Sequence, residues 1–260
     1  MKKKTSIICI MVFIAVIALT IIVVIDNFRR IDFEDETMAE MMAKTVGVEK
    51  ANKLRVDDLE KVEILNIGYT GYYDTLGDIE KCPNLKRLFI SCPEDTIVYY
   101  PFAVWEMPEP ESKERVKQVE KELGSILEKC SNLEDIYISN EKGNCELDNI
   151  EFLKKGKNHL IAICLFYQSD MDYSPISECK ELEYLSLRYC DVSDLSMLSE
   201  LENLKRLNLE GTNVSEVEEI LKLKNLNSLT VLLIDTPLAE KTEELESLQQ
   251  QFPGLDIRTD

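Results

Sequence analysis

The amino-acid sequence predicts an α/β solenoid, with a parallel β-sheet on the concave face and short helices or 3₁₀ turns on the convex face, preceded by one N-terminal transmembrane helix. Two observations carry this prediction: an apolar pattern that repeats every 22 residues, and an uncharged segment near the N-terminus. The composition agrees with a folded body, because 45% of the 260 residues are hydrophobic. Disorder is therefore not the expected main state of the chain.

The uncharged segment occupies residues 6–25 and contains neither glycine nor proline. As a helix rising about 1.5 Å per residue, a segment of this length spans a hydrocarbon layer about 30 Å thick. Lys2, Lys3 and Lys4 precede it, which favours a cytoplasmic N-terminus. We therefore expect a cytoplasmic tail at 1–5, a signal anchor in the cell membrane and an extracellular body. A cleavable signal peptide is the alternative, although its apolar region would be shorter, about 7 to 15 residues.

The charge of the chain excludes several functions. It has 30 Lys+Arg against 49 Asp+Glu, a formal net charge of −19. Nucleic acid is not an expected partner, because phosphate binding needs a basic surface. The chain also has a single histidine, the residue most used as a general base and as a metal ligand. We expect no metal, no cofactor and no enzyme activity, and no small-molecule substrate is evident.

The repeat is clearest between residues 179 and 231. Three apolar sets follow one another at a step of 22 residues: Leu182, Leu185 and Leu187, then Leu204, Leu207 and Leu209, then Leu226, Leu229 and Val231. The Leu-x-Leu spacing is typical of a strand with one buried face, and the apolar residues after each strand have helical spacing. Neither half can bury its apolar side alone, so successive units should stack around one continuous core.

Looser matches extend the array to eight strands. The further sets are Val62, Leu65 and Ile67; Leu85, Leu88 and Ile90; Leu133, Ile136 and Ile138; Leu160, Ile163 and Leu165; and Phe252, Leu255 and Ile257. The first residues of the sets at Leu85 and Leu133 are 48 positions apart, which indicates an insertion.

The insertion, at about 93–129, begins with a proline-rich stretch and continues with a predicted helix from Ser112. Its apolar residues lie on one stripe of that helix, and we expect the helix to pack on the convex side. The stretch before it contains four aromatic residues: Tyr99, Tyr100, Phe102 and Trp105. Either packing over the helix or contact with a partner would account for these aromatic residues.

Both ends of a solenoid need a cap that covers the core. Near the C-terminus, Thr236 and Pro237 begin a helix that is predicted to end at residue 251, before a last strand. The predicted divisions are a linker at 26–31, an N-terminal cap at 32–58, repeats at 59–236, and a C-terminal capping helix and strand at 237–260.

The repeat resembles the leucine-rich repeat, and its 22-residue form is similar to the internalin-type repeats of bacterial surface proteins. The segment IDFEDETMAEMMAKTVG, followed by VDDLEKVEILNIG, is similar to the N-terminal cap of that family, which implies a short helix with an acidic start and then a turn. The resemblance covers residues 31–260 approximately and implies a binding module. One departure is that the family's Asn after the strand is replaced by Cys190 in one repeat and by Thr212 in another.

Most cysteines fit core positions. Cys82, Cys130 and Cys179 each stand three residues before the first leucine of a strand set, where later repeats have leucine. We expect thiols buried in the core; a disulfide among them is the alternative, and their spacing disfavours a zinc site. Cys164, on an outward strand position, and His159 suggest a catalytic pair, but five residues of extended strand separate them by roughly 16 Å.

Strand residues that point away from the core should form columns on the concave face. At a 22-residue step, Ser228 would lie beside Arg206. Aromatic and arginine residues dominate binding hot spots, and the candidate binding residues are Phe89, Tyr137, Phe166, Tyr184, Arg188, Arg206 and Glu210. The alternative is that exposed strands simply favour aromatic residues.

These features predict a membrane-tethered leucine-rich repeat module that binds a protein or peptide ligand on its concave face at the cell surface, without catalysis. The alternative is a scaffold or regulatory subunit of an enzyme complex that faces the cytoplasm, as in leucine-rich repeat proteins that resemble phosphatase regulators.

Overall fold

The computed structural model describes residues 14, 16–18, 20, 30–91, 112–141, 143, 145–169 and 171–260. Residues 30–260 of this set form a solenoid with an eight-stranded parallel sheet, in which each strand pairs with the next along the chain. The predicted sheet of eight strands is therefore confirmed. Among the described residues, no helix is both long and apolar enough to cross a bilayer. Most of the predicted anchor at 6–25 lies outside them.

The strands are short because each places only one or two apolar residues in the core before the chain turns. They are β1 (Ile64–Asn66), β2 (Arg87–Ile90), β3 (Asp135–Ser139), β4 (Ala162–Phe166), β5 (Tyr184–Ser186), β6 (Arg206–Asn208), β7 (Thr230–Leu232) and β8 (Asp256–Arg258). Residues such as Leu88, Ile136 and Leu185 occupy equivalent positions and are fully buried. Stacked in register, they form the continuous core that the repeat predicts.

The register between β6 and β7 differs from the prediction. Leu207 pairs with Val231 rather than with Leu229, so the step there is two residues longer, and Arg206 lies beside Thr230 instead of Ser228. A 3₁₀ turn at Leu226–Ser228 takes up the extra length. Leu229 is buried as well, so the apolar pattern alone could not distinguish the two registers.

The convex side and the ends of the solenoid consist of helices and 3₁₀ turns. The helices are α1 (Glu36–Thr45), α2 (Val56–Leu59), α3 (Lys113–Lys129), α4 (Val217–Leu221) and α5 (Thr242–Gln251). The other 3₁₀ turns are Ala51–Lys53, Thr70–Tyr72, Gly77–Lys81, Glu151–Lys155, Ser174–Glu178, Ser196–Leu198 and Pro237–Glu240. The helical spacing after each strand thus corresponds to one short turn in most repeats.

Helix α3 is the predicted helix of the insertion. The hydroxyl of Ser112 caps it by accepting a hydrogen bond from the Arg115 amide at 3.2 Å. Its apolar stripe is buried, and the helix packs against the turns at Gly77–Lys81 and Glu151–Lys155. This position on the convex side confirms the prediction, whereas the aromatic stretch before it lies outside the described residues.

A buried carboxylate fixes α3 to the segment between β3 and β4. Glu120, 7% exposed, accepts hydrogen bonds from the backbone amides of Asp148 at 2.7 Å and Asn149 at 2.8 Å. Its other oxygen accepts from the side-chain amide of Asn149 at 2.7 Å. Burial raises the pKa of Glu120, and the hydrogen bonds from residues 148 and 149 oppose that shift. These bonds satisfy backbone donors that would otherwise be buried without partners.

Two buried carboxylates hold the N-terminal cap. Asp35 caps α1, because its Oδ1 accepts from the Met38 amide at 2.8 Å. Asp78, with no exposed surface, accepts from the backbone amides of Glu34 at 2.9 Å and Asp35 at 2.8 Å, and also pairs with Lys81. The start of the cap is therefore attached to the convex turn that follows β1.

The C-terminal end contains two helical segments instead of the single predicted helix. Thr236 does cap a helical segment, because its hydroxyl accepts from the Ala239 amide at 3.2 Å. The single helix predicted at 237–251 is wrong, however: a 3₁₀ turn ends at Glu240 and α5 begins at Thr242. The break lies at Lys241, whose ψ of 56° is outside the helical range, and the Leu238 amide bonds the carbonyl of Val214, at 3.1 Å, in the preceding repeat.

The cysteines behave as core residues. Cys82, Cys130 and Cys179 have 1% or less of their surface exposed, which confirms their predicted burial. Burial raises the pKa of Cys82 and Cys179 to about 12 and that of Cys130 to about 11. None of the six cysteines in the described ranges forms a disulfide. Thiols with such high pKa values are weak nucleophiles and weak metal ligands.

Threonine, cysteine and glutamine stand after the strands at the position where leucine-rich repeats have asparagine. The hydroxyl of Thr212 donates to the carbonyl of Leu209 at 2.7 Å, and the thiol of Cys190 donates to the carbonyl of Leu165 at 3.3 Å. Gln168, one repeat earlier, accepts from the Leu147 amide at 3.0 Å. Hydroxyl, thiol and amide groups therefore satisfy backbone groups along this side of the solenoid.

Candidate binding face

The seven candidate residues all lie on the concave side, on β2 to β6 or immediately after those strands. The structure brings them into two neighbouring groups. The first, here called the aromatic floor, consists of Phe89, Tyr137, Tyr184 and Arg206. The second, here called the tyrosine edge, consists of Phe166, Tyr167, Arg188, Tyr189 and Glu210.

The aromatic floor begins with a stacked pair. Phe89 and Tyr137 are paired residues of β2 and β3, and their rings stack with centroids 4.3 Å apart and planes 13° apart. Phe89 is 7% exposed, whereas Tyr137 is half-buried and keeps one side open to solvent. Burial raises the pKa of Tyr137 strongly, so its phenol stays protonated. The pair is a rigid apolar surface with a single neutral hydroxyl.

Tyr184 and Arg206 complete the aromatic floor. They are paired residues of β5 and β6, and the guanidinium of Arg206 lies 5.2 Å from the centroid of the Tyr184 ring. This distance is within the range of a cation–π contact. Tyr184 is half-buried and Arg206 is exposed. The Tyr184 ring thus contacts the Arg206 guanidinium, and the Arg206 side chain remains exposed to solvent.

Cys164 lies between these aromatic residues but is not exposed as predicted. It pairs with Tyr137 on one side and Ser186 on the other, and none of its surface is exposed. The larger tyrosine side chains on the flanking strands cover a small residue at this position. A buried thiol does not meet a dissolved substrate, and burial lowers the pKa of His159. The structure therefore gives no support to a catalytic cysteine–histidine pair.

The tyrosine edge is organised around Arg188. Its guanidinium lies 5.8 Å from the ring centroids of both Phe166 and Tyr189. Its Nη2 donates to Oε1 of Glu210 at 2.9 Å, and the Tyr189 hydroxyl donates to the same oxygen at 3.0 Å. The hydrogen bond to Glu210 raises the pKa of Tyr189. The charge of Arg188 is thus compensated inside this group.

Sequence reasoning missed Tyr167 and Tyr189. Their rings stack with centroids 4.7 Å apart and planes 11° apart, and Tyr167 is 38% exposed. Both have left-handed backbones, with φ of 57° and 54°, at the repeat position where Gly211 follows with φ of 68°. Asp235, at the equivalent position of the next repeat, has φ of 56°, so this left-handed turn recurs with the repeat, and a non-glycine residue there is strained by roughly 1–3 kcal/mol. The sequence feature that could have identified them is the 22-residue spacing of Tyr167, Tyr189 and Gly211.

Gly211 supplies the space for this arrangement. A Cβ atom at residue 211 would lie 2.1 Å from Cδ1 of Tyr189, so the Tyr189 ring rests on the glycine backbone. The aromatic stack therefore extends over three repeats, with the third contributing only main chain.

Comparisons with known proteins identify the fold. No family model and no curated protein matches the chain. Solved structures do: internalin C2 of Listeria monocytogenes is 18% identical, with 88% of this chain and 94% of that chain covered and a TM-score of 0.54. An internalin F structure from the same organism is 15% identical, with coverages of 87% and 75% and a TM-score of 0.46. The chain has the leucine-rich repeat fold seen in internalin-type proteins.

Proposed function

We propose that the protein is a membrane-tethered leucine-rich repeat module that binds a protein or peptide ligand on its concave face at the cell surface, without catalysis. One observation carries the proposal: the aromatic floor and the tyrosine edge place aromatic and arginine side chains together over five consecutive strands, β2 to β6. Tyr and Arg are enriched in binding hot spots, and leucine-rich repeat proteins use their curved surfaces for binding.

The rings on this face are held in place before a ligand arrives. Stacking fixes Phe89 against Tyr137 and Tyr167 against Tyr189. Binding normally costs about 0.5 to 1.5 kcal/mol for each flexible side chain that becomes ordered. Rings that are already ordered avoid most of this cost, which favours a recognition surface over a merely tolerated cluster of aromatic residues.

We expect Tyr137→Ala combined with Tyr184→Ala to lower ligand capture at least tenfold, because each ring supplies apolar area at the centre of the face. The full-length chain would be used as bait with native membranes, and captured proteins quantified by mass spectrometry. A tenfold loss corresponds to about 1.4 kcal/mol, a modest value for a hot-spot pair.

Both tyrosines are partly buried, so the double variant will also lose stability, and the control must match that loss. Phe152→Ala removes a buried ring from the convex turn Glu151–Lys155. It should destabilise the chain and leave capture unchanged. Equal capture by the wild type and the double variant would contradict a concave site and direct attention to the aromatic stretch at 93–111.

The membrane tether and the orientation of the body form part of the proposal. The uncharged segment 6–25 and the preceding lysines support an anchor with a cytoplasmic N-terminus. A linker at 26–31 would keep the solenoid close to the bilayer. The alternative, a scaffold that faces the cytoplasm, differs only in topology.

A cysteine placed at exposed Ser193 should react with a membrane-impermeant thiol reagent on intact cells. The six described native thiols are buried, so the unsubstituted chain gives the background signal. Labelling of Ser193→Cys only after lysis would refute the surface location and favour the cytoplasmic scaffold.

A further inference from the structure

The concave side differs in charge from the rest of the chain. The chain has a net charge of −19, yet the concave residues within β2–β6 include two arginines, Arg87 and Arg206, and one acid, Asp135. Two residues after the ends of β3, β5 and β6 stand Glu141, Arg188 and Glu210. A negatively charged ligand group therefore meets less repulsion at these strands than the net charge of the chain suggests.

Asp135 and Glu210 are already paired. Nε of Arg87 lies 2.9 Å from Oδ2 of Asp135, and Arg188 donates to Glu210 at 2.9 Å. At the nearby strand entrance, Glu183 pairs with Lys205 at 2.7 Å. Among the described residues, Arg206 has no carboxylate partner, and its ring contact is with Tyr184.

The position of Arg206 suits it to bind an anion. A guanidinium presents several N–H donors in a planar fork that matches a carboxylate. Contact with Tyr184 restrains the side chain, so less freedom is lost when a ligand binds. Charges elsewhere on the acidic body are screened beyond about 8 Å at physiological salt. The attraction of a ligand carboxylate to this position therefore depends mainly on the Arg206 guanidinium.

We propose that the ligand is a protein segment whose Asp or Glu side chain binds Arg206 and whose apolar or aromatic side chain, about four residues of extended chain away, packs on Tyr137. This inference rests on the proposed function, because it names the chemistry of the ligand at the same face. Tyr137 on β3 and Arg206 on β6 are three strand spacings apart, roughly 14 Å, and Tyr184 on β5 lies between these two strands. A segment that combines one carboxylate with one apolar side chain complements both Tyr137 and Arg206.

The test uses a displayed library of random twelve-residue peptides, selected on the full-length chain in detergent micelles. Wild-type selections should be enriched in peptides that have Asp or Glu about four residues from an aromatic or aliphatic residue. Arg206→Gln should weaken a selected peptide at least tenfold. Lys224→Gln, which removes an exposed cation from a loop after α4, should leave its affinity unchanged.

A charge exchange provides the sharper measurement. Arg206→Glu should reject the wild-type peptide, and replacement of the peptide's carboxylate residue by Lys should restore binding to that variant. Arg206 is exposed, so these substitutions leave the core intact. Selections without acidic enrichment, or an affinity unaffected by Arg206→Gln, would overturn the proposal.

The outcomes also separate this inference from the proposed function. If Tyr137→Ala with Tyr184→Ala abolishes peptide binding while Arg206→Gln does not, the concave site stands and the carboxylate ligand is wrong. If neither variant changes binding, both proposals fail. Self-association of the wild type that disappears in Arg206→Glu, measured by sedimentation, would make a second copy the occupant and overturn the peptide assignment.

Discussion

Asp78→Ala should lower the free energy of unfolding by about 3 kcal/mol and release the N-terminal cap. The carboxylate has no exposed surface and accepts from the amides of Glu34 and Asp35, at 2.9 and 2.8 Å, while pairing with Lys81. Removal of one partner from a buried ionic network leaves the other groups without compensation, which costs about 3–5 kcal/mol in buried pairs. The value is at the lower end because the Lys81 side chain is partly exposed.

Urea denaturation followed by circular dichroism measures the total effect, and amide hydrogen exchange locates it. Faster exchange should be strongest in α1, because repeats in a solenoid contact mainly their neighbours. The matched control is Glu63→Ala, which removes an exposed carboxylate paired with Lys86 at 3.0 Å and should cost no more than about 0.5 kcal/mol. Equal losses from the two variants would show that Asp78 does not hold the cap.

Gly211→Ala should lower the free energy of unfolding by about 2 to 3 kcal/mol and disorder the tyrosine edge. An L-residue at φ of 68° costs about 1 kcal/mol relative to glycine. The added Cβ would lie 2.1 Å from Cδ1 of Tyr189 and force its ring away. Displacement of the ring also removes its stacking on Tyr167 and its hydrogen bond to Glu210, each worth about 1 kcal/mol.

Gly47→Ala is the matched control for this substitution. Gly47 has a similar φ of 73°, but no atom lies within 4 Å of its added Cβ. It should cost only the backbone part, about 1 kcal/mol. The difference between the two variants in urea denaturation isolates the ring displacement, and proton NMR of the tyrosine rings should change only for Gly211→Ala. Identical losses would mean that the stack contributes nothing to stability.

Much of the fold was predictable because it depends on local apolar spacing. Apolar core residues recur at every second strand position, as Leu88 and Ile90 or Leu185 and Leu187 do, and each strand is followed by helical spacing, so the repeat defines both its strand and its turn. Helix α3 was predictable for the same reason, since its apolar residues form one stripe. The exception was β7, where Leu229 and Val231 are both buried and the pattern permits two registers.

The candidate site was predictable in part. The columns of the repeat placed Tyr137, Tyr184 and Arg206 on the concave face, which the structure confirms. They did not show that Tyr137 would stack on Phe89, since that contact depends on side-chain rotamers in adjacent repeats. Tyr167 and Tyr189 were missed because they follow the strands, and their orientation depends on left-handed backbones.

The sequence by itself determined the repeat, the order of its strands, the residues of the core and the side of the sheet on which the candidate residues lie. These properties follow from the spacing of apolar residues, which acts over a few positions and recurs along the chain. Only the tertiary structure decided which charges are compensated, and it leaves Arg206 beside Tyr184 while Arg87 and Arg188 have acidic partners. Such pairing depends on distances between side chains of different repeats, which the spacing within one repeat does not specify.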